Sequence, residues 1–267
     1  MTQPIKVTYQ LTPDDQGILA IDLLSRLTNL PKLRLKDAMS KGAVWLKRKK
    51  QLRLRRIKEP LRSGDVLSIY YDDALLSLAL PDGIHCLEQN RFYSVWFKPA
   101  GVMSQGTQFG DHLSLLRYVE VATQRPVFLI HRLDKETQGI MLIAHQPKSA
   151  AALTSLFTEH KIRKIYTAEV LGKVDSKGEM AFPIDEKPAH TLYECMAYDD
   201  TLNISHVRIE LKTGRTHQIR RHFDMIGHPV IGDPRYGKGN KNTQGLKLTA
   251  SELIFTCPFT HEEKHFA

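Results

Sequence analysis

Several features that would mark other protein classes are missing from the 267 residues of this chain. No apolar run approaches the roughly 20 residues that a spanning helix needs, which excludes a transmembrane protein. The amino terminus lacks the basic and then apolar pattern of a secretory signal, so a cytoplasmic protein is expected. The three cysteines, Cys86, Cys195 and Cys257, are far apart and show no Cys-x-x-Cys spacing. This spacing argues against a disulfide framework and against a zinc knuckle.

The motifs of nucleotide binding, acyl transfer and metal binding are missing as well. The glycines fit neither the Gly-x-x-x-x-Gly-Lys phosphate loop nor the dinucleotide fingerprint, and no Gly-x-Ser-x-Gly elbow occurs. His217, His222 and His228 do not have the spacing of a zincin, and no cysteine or acidic cluster completes a site. These histidines are interpreted as packing residues, and neither a cofactor nor a metal is expected.

Positive charge is present in excess and is concentrated in one segment. The chain has a net charge of +9, whereas the segment from Arg26 to Arg62 alone has 14 basic and two acidic residues. The remainder of the chain is therefore slightly acidic. A short segment with this excess is the electrostatic pattern of a nucleic-acid contact rather than of a generally basic protein.

Charge and hydrophobic periodicity divide the chain into two domains and a linker. Residues 10–72 are predicted to form a small α/β domain with helices at 15–29 and 33–40 and strands at 43–46, 52–57 and 66–71. Residues 73–90 are predicted to be the linker. Residues 91–267 mix strands with a few helices, one of them predicted at 215–226, without a regular βαβ repeat. The expected fold class is α+β with a mixed, largely antiparallel sheet.

Two polar segments of the second domain hold the candidate catalytic residues. The first, from His131 to Gly139, lies between two apolar runs, and a loop between buried strands holds a carboxylate such as Asp134 in a fixed position. On residue types alone, a local ion pair between Arg132 and Asp134 remains an equal alternative. The second segment contains Arg215, Arg220 and Arg221, which could bind phosphate or pair with a buried carboxylate.

Five segments, taken in order, resemble the motifs of the RluA-type family of RNA pseudouridine synthases. The signature loop of that family is similar to His131-Arg-Leu-Asp-x-x-Thr-x-Gly139. The other matching segments are Lys98-Pro-Ala-Gly-Val102, Lys164-x-Tyr-x-Ala168, Thr213-Gly-Arg-Thr-His-Gln-Ile-Arg220 and Gly227-His-Pro-Val-Ile-Gly-Asp-Pro-Arg-Tyr-Gly237. The resemblance extends from about residue 92 to 259. The basic domain, with its Leu61-Arg-Ser-Gly-Asp-Val66 ending, resembles the alpha-L (S4-like) RNA-binding fold often found ahead of such domains.

The resemblance implies roles for individual residues. Asp134 would be the catalytic aspartate, Tyr166 the active-site tyrosine and Arg220 the arginine paired with the aspartate. Arg132 would displace the target base from the RNA. Further RNA contacts are expected at His131, Arg215, Lys47, Arg48, Lys49, Lys50, Arg53 and Arg55. The sequence departs from the family pattern at Gln138, where serine is usual.

The implied reaction agrees with the absence of cofactor motifs. Conversion of uridine to pseudouridine breaks the N-glycosidic bond, rotates the uracil and rejoins it through C5, and nothing is oxidised or lost. A carboxylate is needed, either as a nucleophile or to stabilise charge on a sugar that resembles an oxocarbenium ion. The target base must also be flipped out of folded RNA, which an inserted arginine can assist.

The sequence thus predicts a monomeric RNA pseudouridine synthase without a membrane partner. Its substrate is expected to be structured RNA, ribosomal RNA first and transfer RNA second. One alternative is a catalytically inactive RNA-binding or ribosome-assembly protein that keeps the fold, although the joint presence of Asp134, Tyr166 and Arg220 argues against it. The other is a basic DNA-binding regulator, but the basic segment is predicted to end in strands and not in a recognition helix.

Overall fold

The computed structural model describes residues 3–267, which divide into two compact units. Unit 1 consists of the residues up to Leu80 together with Gln105–Ala122. Unit 2 consists of Pro81–Ser104 and Thr123–Ala267. The chain therefore leaves unit 2 after Ser104 and returns to it at Thr123.

Unit 1 is built on a four-stranded antiparallel sheet with the order β1-β4-β2-β3. Its strands are β1 (Ile5–Gln10), β2 (Val44–Lys47), β3 (Gln51–Arg53) and β4 (Val66–Tyr71). Its helices are α1 (Ala20–Thr28), α2 (Lys32–Ser40), α3 (Asp73–Leu76) and α4 (Leu115–Thr123), the last of which ends one residue inside unit 2. Apolar residues of α1 and α2, such as Leu24 and Leu35, are fully buried with Ile69 of β4 in one core.

Unit 2 contains a large sheet with the order β10-β11-β12-β9-β13-β8-β6-β5, to which β7 and β14 are added. The strands are β5 (His85–Gln89), β6 (Tyr93–Lys98), β7 (Phe128–Leu129), β8 (Gln138–Ala144), β9 (Arg163–Leu171), β10 (Lys177–Met180), β11 (Thr191–Asp199), β12 (Ile204–Leu211), β13 (Leu248–Thr256) and β14 (Glu263–Phe266). All pairs are antiparallel except β8 with β13. The predicted α+β class with a mixed, largely antiparallel sheet is confirmed.

Two helices of unit 2 cover separate cores of this sheet. Helix α5 (Pro147–Thr158) packs with β7 and β8, where Leu142 and Leu153 are fully buried. Helix α6 (Gln218–Met225) packs against β11, and its Phe223 is fully buried with Ile209 of β12. In residues 3–267, no helix combines the length and the apolar character that crossing a membrane requires.

Three boundaries differ from those that periodicity predicted. The predicted strand at 52–57 is shortened to β3, because Leu54 turns inward and Arg55 bonds to the carbonyl of Ser40. The predicted linker at 73–90 contains α3 and the edge strand β5, whose exposed side chains give no alternation. The predicted helix at 215–226 begins only at Gln218, because the preceding residues form a loop around the side chain of Gln218.

Candidate active site

A cavity of about 160 Å³ in unit 2 brings together three of the predicted catalytic and RNA-contacting regions. It is lined by the loop before β8, by β9 and by the segment from Gly214 to Arg220. The polar lining includes Arg132, Asp134, Tyr166, Arg215 and Arg220. Asp134 and Arg220, which are 86 positions apart in the sequence, therefore share one site.

Asp134 lies at the base of this cavity with 22% of its side chain exposed. Nη1 of Arg220 donates a hydrogen bond of 3.2 Å to its Oδ2. Nε2 of His217 lies 3.7 Å from the same oxygen. The other oxygen, Oδ1, has no hydrogen bond to any part of the chain that the structure describes. The carboxylate of Asp134 is thus fixed through Oδ2, whereas Oδ1 is free to contact a substrate.

Ser104 and Lys98 fix the loop that carries Asp134 through hydrogen bonds to its backbone. The hydroxyl of Ser104 donates to the carbonyl of Leu133 at 2.6 Å and accepts from the Leu133 amide at 2.9 Å. The fully buried ammonium of Lys98 donates to the carbonyls of Val102 at 2.7 Å, Pro99 at 3.2 Å and Lys135 at 3.3 Å. These contacts join Lys98 and the turn after it to the loop that carries Asp134.

Burial lowers the pKa of Lys98 to about 8, although the charges of Asp134 and Glu136 act in the opposite direction. The ammonium nevertheless remains mostly protonated at neutral pH, and its three donors match its three carbonyl acceptors. Lys98 thus contributes both a rigid support and a positive charge beneath the loop.

Arg220 forms its two-pronged contact with a carboxylate that the sequence interpretation did not consider. Its Nε and Nη2 donate to Asp233 at 2.7 and 2.8 Å, and only Nη1 reaches Asp134. Arg220 therefore contacts Asp134 through one nitrogen and Asp233 through two. Asp233 is fully buried and also accepts from the amides of Arg235 and Tyr236. The sequence carried a signal for it, because Asp233 lies in one of the five matching segments.

The buried charges of Arg220 and Asp233 stabilise each other. Burial alone raises the pKa of Asp233, but the hydrogen bonds from Arg220 and the two backbone amides outweigh it and lower that pKa. Burial likewise opposes the charge of Arg220, whereas Asp233 and then Asp134 raise the pKa of the guanidinium. Both groups are charged at neutral pH, so Arg220 presents a permanent cation to Asp134.

Tyr166 forms one wall of the cavity from strand β9. It is paired with Ile209 of β12 and Ala250 of β13, so the sheet fixes its backbone on both sides. Burial, and to a smaller degree the charge of Asp134, raises the pKa of the Tyr166 phenol. The phenol is therefore neutral and supplies an aromatic surface and a hydroxyl rather than an anion.

The loop before α6 is organised by the buried side chain of Gln218. Its Oε1 accepts from the hydroxyl of Thr213 at 2.7 Å and from the amide of Arg215 at 2.9 Å. Its Nε2 donates to Thr191 Oγ1 at 2.9 Å and to the carbonyl of His190. Arg215 also lines the cavity, and its Nε donates to the carbonyl of Pro188.

The residues around Asp134 in the signature loop differ in their environments. Arg132 lines the cavity, is exposed and has no hydrogen bond or ion pair within residues 3–267. His131, predicted as an RNA contact, instead accepts from the amide of Leu142 at 3.0 Å and stacks on Phe157. Burial lowers its pKa to about 3. His131 thus has its Nε2 occupied by a partner within the protein, and its contact with RNA stays a prediction.

Gln138 makes a contact that serine could not reach. Its Nε2 donates to Oγ1 of Thr249 at 3.0 Å, where β8 and β13 pair in parallel. Next to it, Gly139 has φ 125°, and a Cβ there would lie 2.2 Å from the carbonyl oxygen of Ala250. The unusual glutamine thus joins the end of the loop to β13.

In unit 1, half of the basic residues predicted to bind RNA have partners within the protein. Arg48 pairs with Asp65 at 3.0 Å and Glu59 at 2.8 Å. Arg53 and Arg55 both pair with Asp111, which lies in the segment that unit 1 takes from the middle of the chain. These three arginines stabilise unit 1, because their charges and most of their donors are occupied.

The lysines of the same cluster have the opposite environment. Lys47 ends β2, and Lys49 and Lys50 form the turn to β3. All three are exposed and have no ion pair in the described part of the chain. The structure thus separates the predicted RNA contacts into a paired arginine network and an exposed lysine turn.

Comparison with known proteins identifies the family. The RNA pseudouridylate synthase family model matches residues 92–225, which is half of the chain. The chain therefore belongs to the RNA pseudouridylate synthase family, whose members isomerise uridine in RNA to pseudouridine. Within this family it is of the RluA type, as the five sequence motifs predicted.

Three curated relatives show the range of names among similar chains. Dual-specificity RNA pseudouridine synthase RluA of Vibrio parahaemolyticus is 31% identical over 61% of this chain and 74% of its own length. tRNA pseudouridine synthase C of the same species is 28% identical, over 68% of this chain and 89% of its own. Ribosomal large subunit pseudouridine synthase D of Buchnera aphidicola is 33% identical, over 65% and 61%.

A solved structure with a similar fold is human RNA pseudouridylate synthase domain containing 1. It superimposes with a TM-score of 0.58 at 23% identity and covers 69% of this chain and 82% of that one. At this identity the likeness concerns the fold alone. The prediction of an RNA pseudouridine synthase is confirmed, and the inactive alternative finds no support.

Proposed function

We propose that Asp134 is the catalytic carboxylate of this isomerase, that Arg220 holds it and that Tyr166 forms the wall against which the uracil turns. The observation that carries the proposal is the 3.2 Å ion pair between Asp134 and a nearly fully buried Arg220 inside the cavity. A carboxylate with one open oxygen can attack C1′ or stabilise positive charge on the ribose. The neutral aromatic ring of Tyr166 keeps the detached base enclosed.

Arg132 is proposed to take the place of the flipped uridine in the RNA. It is exposed at the cavity and unpaired within residues 3–267, so no ion pair must break before it inserts. Flipping a base from folded RNA costs a few kcal/mol, and a planar guanidinium can stack in the gap and bind phosphate. Arg215, which lines the cavity and has only its Nε bonded to Pro188, is proposed to bind the backbone of the flipped nucleotide.

The proposed substrate is structured RNA, ribosomal RNA first and transfer RNA second. The names of the relatives support both classes. Unit 1 is proposed to be an S4-like RNA-binding domain that contacts the RNA through Lys47, Lys49 and Lys50, because only those three of its predicted contacts are exposed and unpaired in the described residues. The enzyme is proposed to be monomeric and cytoplasmic.

The role of Asp134 is tested by Asp134→Asn, which keeps the shape of the side chain and removes its charge. Release of tritium from RNA with C5-labelled uridine is expected to stop. RNA affinity in a filter-binding titration should be nearly unchanged, since Asp134 contributes no positive charge to the RNA contact. Turnover close to that of the wild type would refute the assignment.

The RNA target can be identified in cells that lack the protein. Pseudouridine is mapped in ribosomal and transfer RNA by carbodiimide labelling and primer extension, after complementation with the wild type or with Asp134→Asn. A site present only with the wild type identifies the substrate uridine. A site restored by both would contradict the catalytic assignment, and loss in transfer RNA alone would contradict the ribosomal preference.

A further inference from the structure

His217 is the residue of the cavity for which neither the sequence nor the family motifs suggested a role in the reaction. It immediately precedes α6 and has φ 55°, a left-handed conformation that non-glycine residues adopt at an energetic cost. The buried Gln218 next to it, bonded to Thr213 and Arg215, holds the loop in this shape. The backbone is thus constrained so that the imidazole faces Asp134.

The His217 ring contacts two groups through its two nitrogens. Nδ1 lies 3.0 Å from the hydroxyl of Tyr236, and the two rings meet edge to face with centroids 5.6 Å apart. Nε2 lies 3.7 Å from Oδ2 of Asp134. The backbone of Tyr236 is itself fixed, because its amide donates to the buried Asp233. A continuous chain of contacts therefore runs from Asp233 through Tyr236 and His217 to Asp134.

The charges around His217 favour a neutral ring with a defined proton position. Burial lowers its pKa; Asp134 and Asp233 oppose this effect, whereas Arg220 and Arg235 reinforce it. In the neutral ring, a hydroxyl proton donated by Tyr236 to Nδ1 places the ring proton on Nε2. That arrangement directs an N–H dipole at the carboxylate, whereas the other tautomer would direct a lone pair at it.

We propose that His217, oriented by Tyr236, is a positioning residue for the isomerisation, which fixes Oδ2 of Asp134 together with Arg220 and leaves Oδ1 free for the ribose. This inference rests on the proposed catalytic role of Asp134. The Nε2–Oδ2 separation of 3.7 Å is a dipole contact and not a full hydrogen bond, so His217 orients the carboxylate without neutralising it.

The proposal implies a distinct pH dependence. A protonated His217 would place a second full positive charge beside Oδ2, in addition to Arg220, and would weaken Asp134 as a nucleophile and as a stabiliser of positive charge. Turnover should therefore fall when His217 is protonated, below the ordinary histidine range, because burial lowers the pKa of this ring.

The test compares four variants in steady-state assays whose RNA concentrations extend well above KM. His217→Gly permits the left-handed backbone and removes the ring, whereas His217→Gln keeps an amide N–H near the Nε2 position but cannot ionise. Tyr236→Phe removes only the hydroxyl that orients the ring. Tyr198→Phe is the matched control, because its hydroxyl bonds to Asn203 on the exposed hairpin of β11 and β12. Turnover, KM, RNA affinity, thermal stability and pH profile are measured for each.

The expected turnover losses are about 10- to 100-fold for His217→Gly and about 10-fold for Tyr236→Phe, as for other residues that orient a catalytic group. KM and RNA affinity should not change, and Tyr198→Phe should equal the wild type. His217→Gln should recover most of the turnover, and its acidic limb should move to lower pH. A purely structural role would lower thermal stability and leave the pH profile in place.

Three results would overturn the proposal: full turnover in His217→Gly, equal losses in the glycine and glutamine variants, or an acidic limb that is the same in His217→Gln and the wild type. Asp134→Asn is assayed alongside to separate the two levels of inference. Activity in Asp134→Asn refutes the proposed function, whereas an inactive Asp134→Asn with a normal His217→Gly refutes the role of His217 alone.

Discussion

Arg220 donates hydrogen bonds to two carboxylates, Asp233 and Asp134, from different nitrogens of its guanidinium. Its Nε and Nη2 donate to Asp233, whereas Nη1 donates to Asp134 and lies 3.8 Å from Oε2 of Glu136. Asp233 does not line the cavity, and its bonds to Nε and Nη2 hold the guanidinium in place. The position of Nη1 is therefore determined before substrate binds. This division provides a stabilising charge for Asp134 without covering both of its oxygens.

Removal of Arg220 should therefore affect stability and turnover together. Arg220→Met leaves Asp233 buried without its partner, and loss of one member of a buried pair costs about 3–5 kcal/mol. Turnover should fall sharply, because Asp134 loses its only hydrogen bond in residues 3–267. Thermal unfolding and tritium release measure the two effects. The matched control is Arg221→Met, whose partner Asp185 is exposed and which should change neither quantity by much.

Arg220→Lys separates the two roles of the guanidinium. An ammonium has no fork and can reach Asp233 or Asp134 but cannot hold both in the native geometry. We expect it to remain with the fully buried Asp233, so stability should recover in part while turnover stays low. Recovery of turnover without recovery of stability would contradict this order of preference and would place the essential contact at Asp134.

Lys98 gives a pH dependence of stability whose sign can be worked out. Its pKa is about 8 in the folded protein and 10.5 when unperturbed, so between these values the unfolded chain binds a proton that the folded one does not. The free energy of unfolding should therefore rise with pH by up to about 1.4 kcal/mol per unit over this range. Urea unfolding of the wild type and of Lys98→Met at several pH values tests this expectation. The free energy of unfolding of the wild type minus that of Lys98→Met should rise with pH, and a value that stays constant or falls would contradict it.

At the scale of elements, the parallel contact of β8 with β13 determines where the loop that carries Asp134 ends. The strands meet at Gln138 and Gly139, opposite Thr249 and Ala250. At Gly139 the backbones approach so closely that any side chain would overlap the backbone of Ala250. Since the loop with Asp134 enters β8 here, Gly139 lets the end of this loop lie directly against β13.

Gly139→Ala should therefore damage both the fold and the activity. The left-handed φ and the overlap with Ala250 together should cost about 3 kcal/mol or more. The control is Gly227→Ala, at the end of α6, where φ is 81° but no atom lies within 4 Å of an added Cβ. That change should cost only about 1 kcal/mol from backbone strain. Equal losses in thermal unfolding would show that strain, and not close approach, dominates at Gly139.

At the scale of the whole molecule, the positive charge of the Arg26–Arg62 segment is divided between stabilisation and exposure. The paired members are Lys32 with Asp22, Arg34 with Asp73, Lys41 with Asp37, Arg48 with Glu59 and Asp65, Arg53 and Arg55 with Asp111, and Arg56 with Glu59. Several of these acids lie outside the segment, so the local charge available to RNA is smaller than the sequence count indicates.

This division predicts opposite effects for two double variants. Lys49→Gln with Lys50→Gln should reduce the log–log salt slope of RNA binding by about 0.7 to 0.9 for each phosphate that the protein no longer binds, with little change in stability. Arg53→Gln with Arg55→Gln should instead lower thermal stability, because Asp111 loses both partners. An equal reduction of the slope by both variants would contradict the assignment of the arginines to stabilisation.

The sequence by itself determined the family, the α+β class and the identities of Asp134, Tyr166 and Arg220 as candidates. These follow from local order: motifs of contiguous residues, and apolar runs such as 140–144 whose burial does not depend on their partner. Strands without alternation, such as β5, and helix starts set by a side chain, as at Gln218, were not predictable from periodicity.

Only the tertiary structure decided which charges meet. Asp233 and Arg220 are 13 positions apart, and Asp111 lies 56 positions from Arg55, so no local pattern connects them. The same holds for His131, whose neutral state depends on burial against Phe157, and for His217, whose contact with Asp134 requires a left-handed backbone. The sequence determines which side chains can carry a charge, but the partner of each charge and the extent of its desolvation depend on the folded chain.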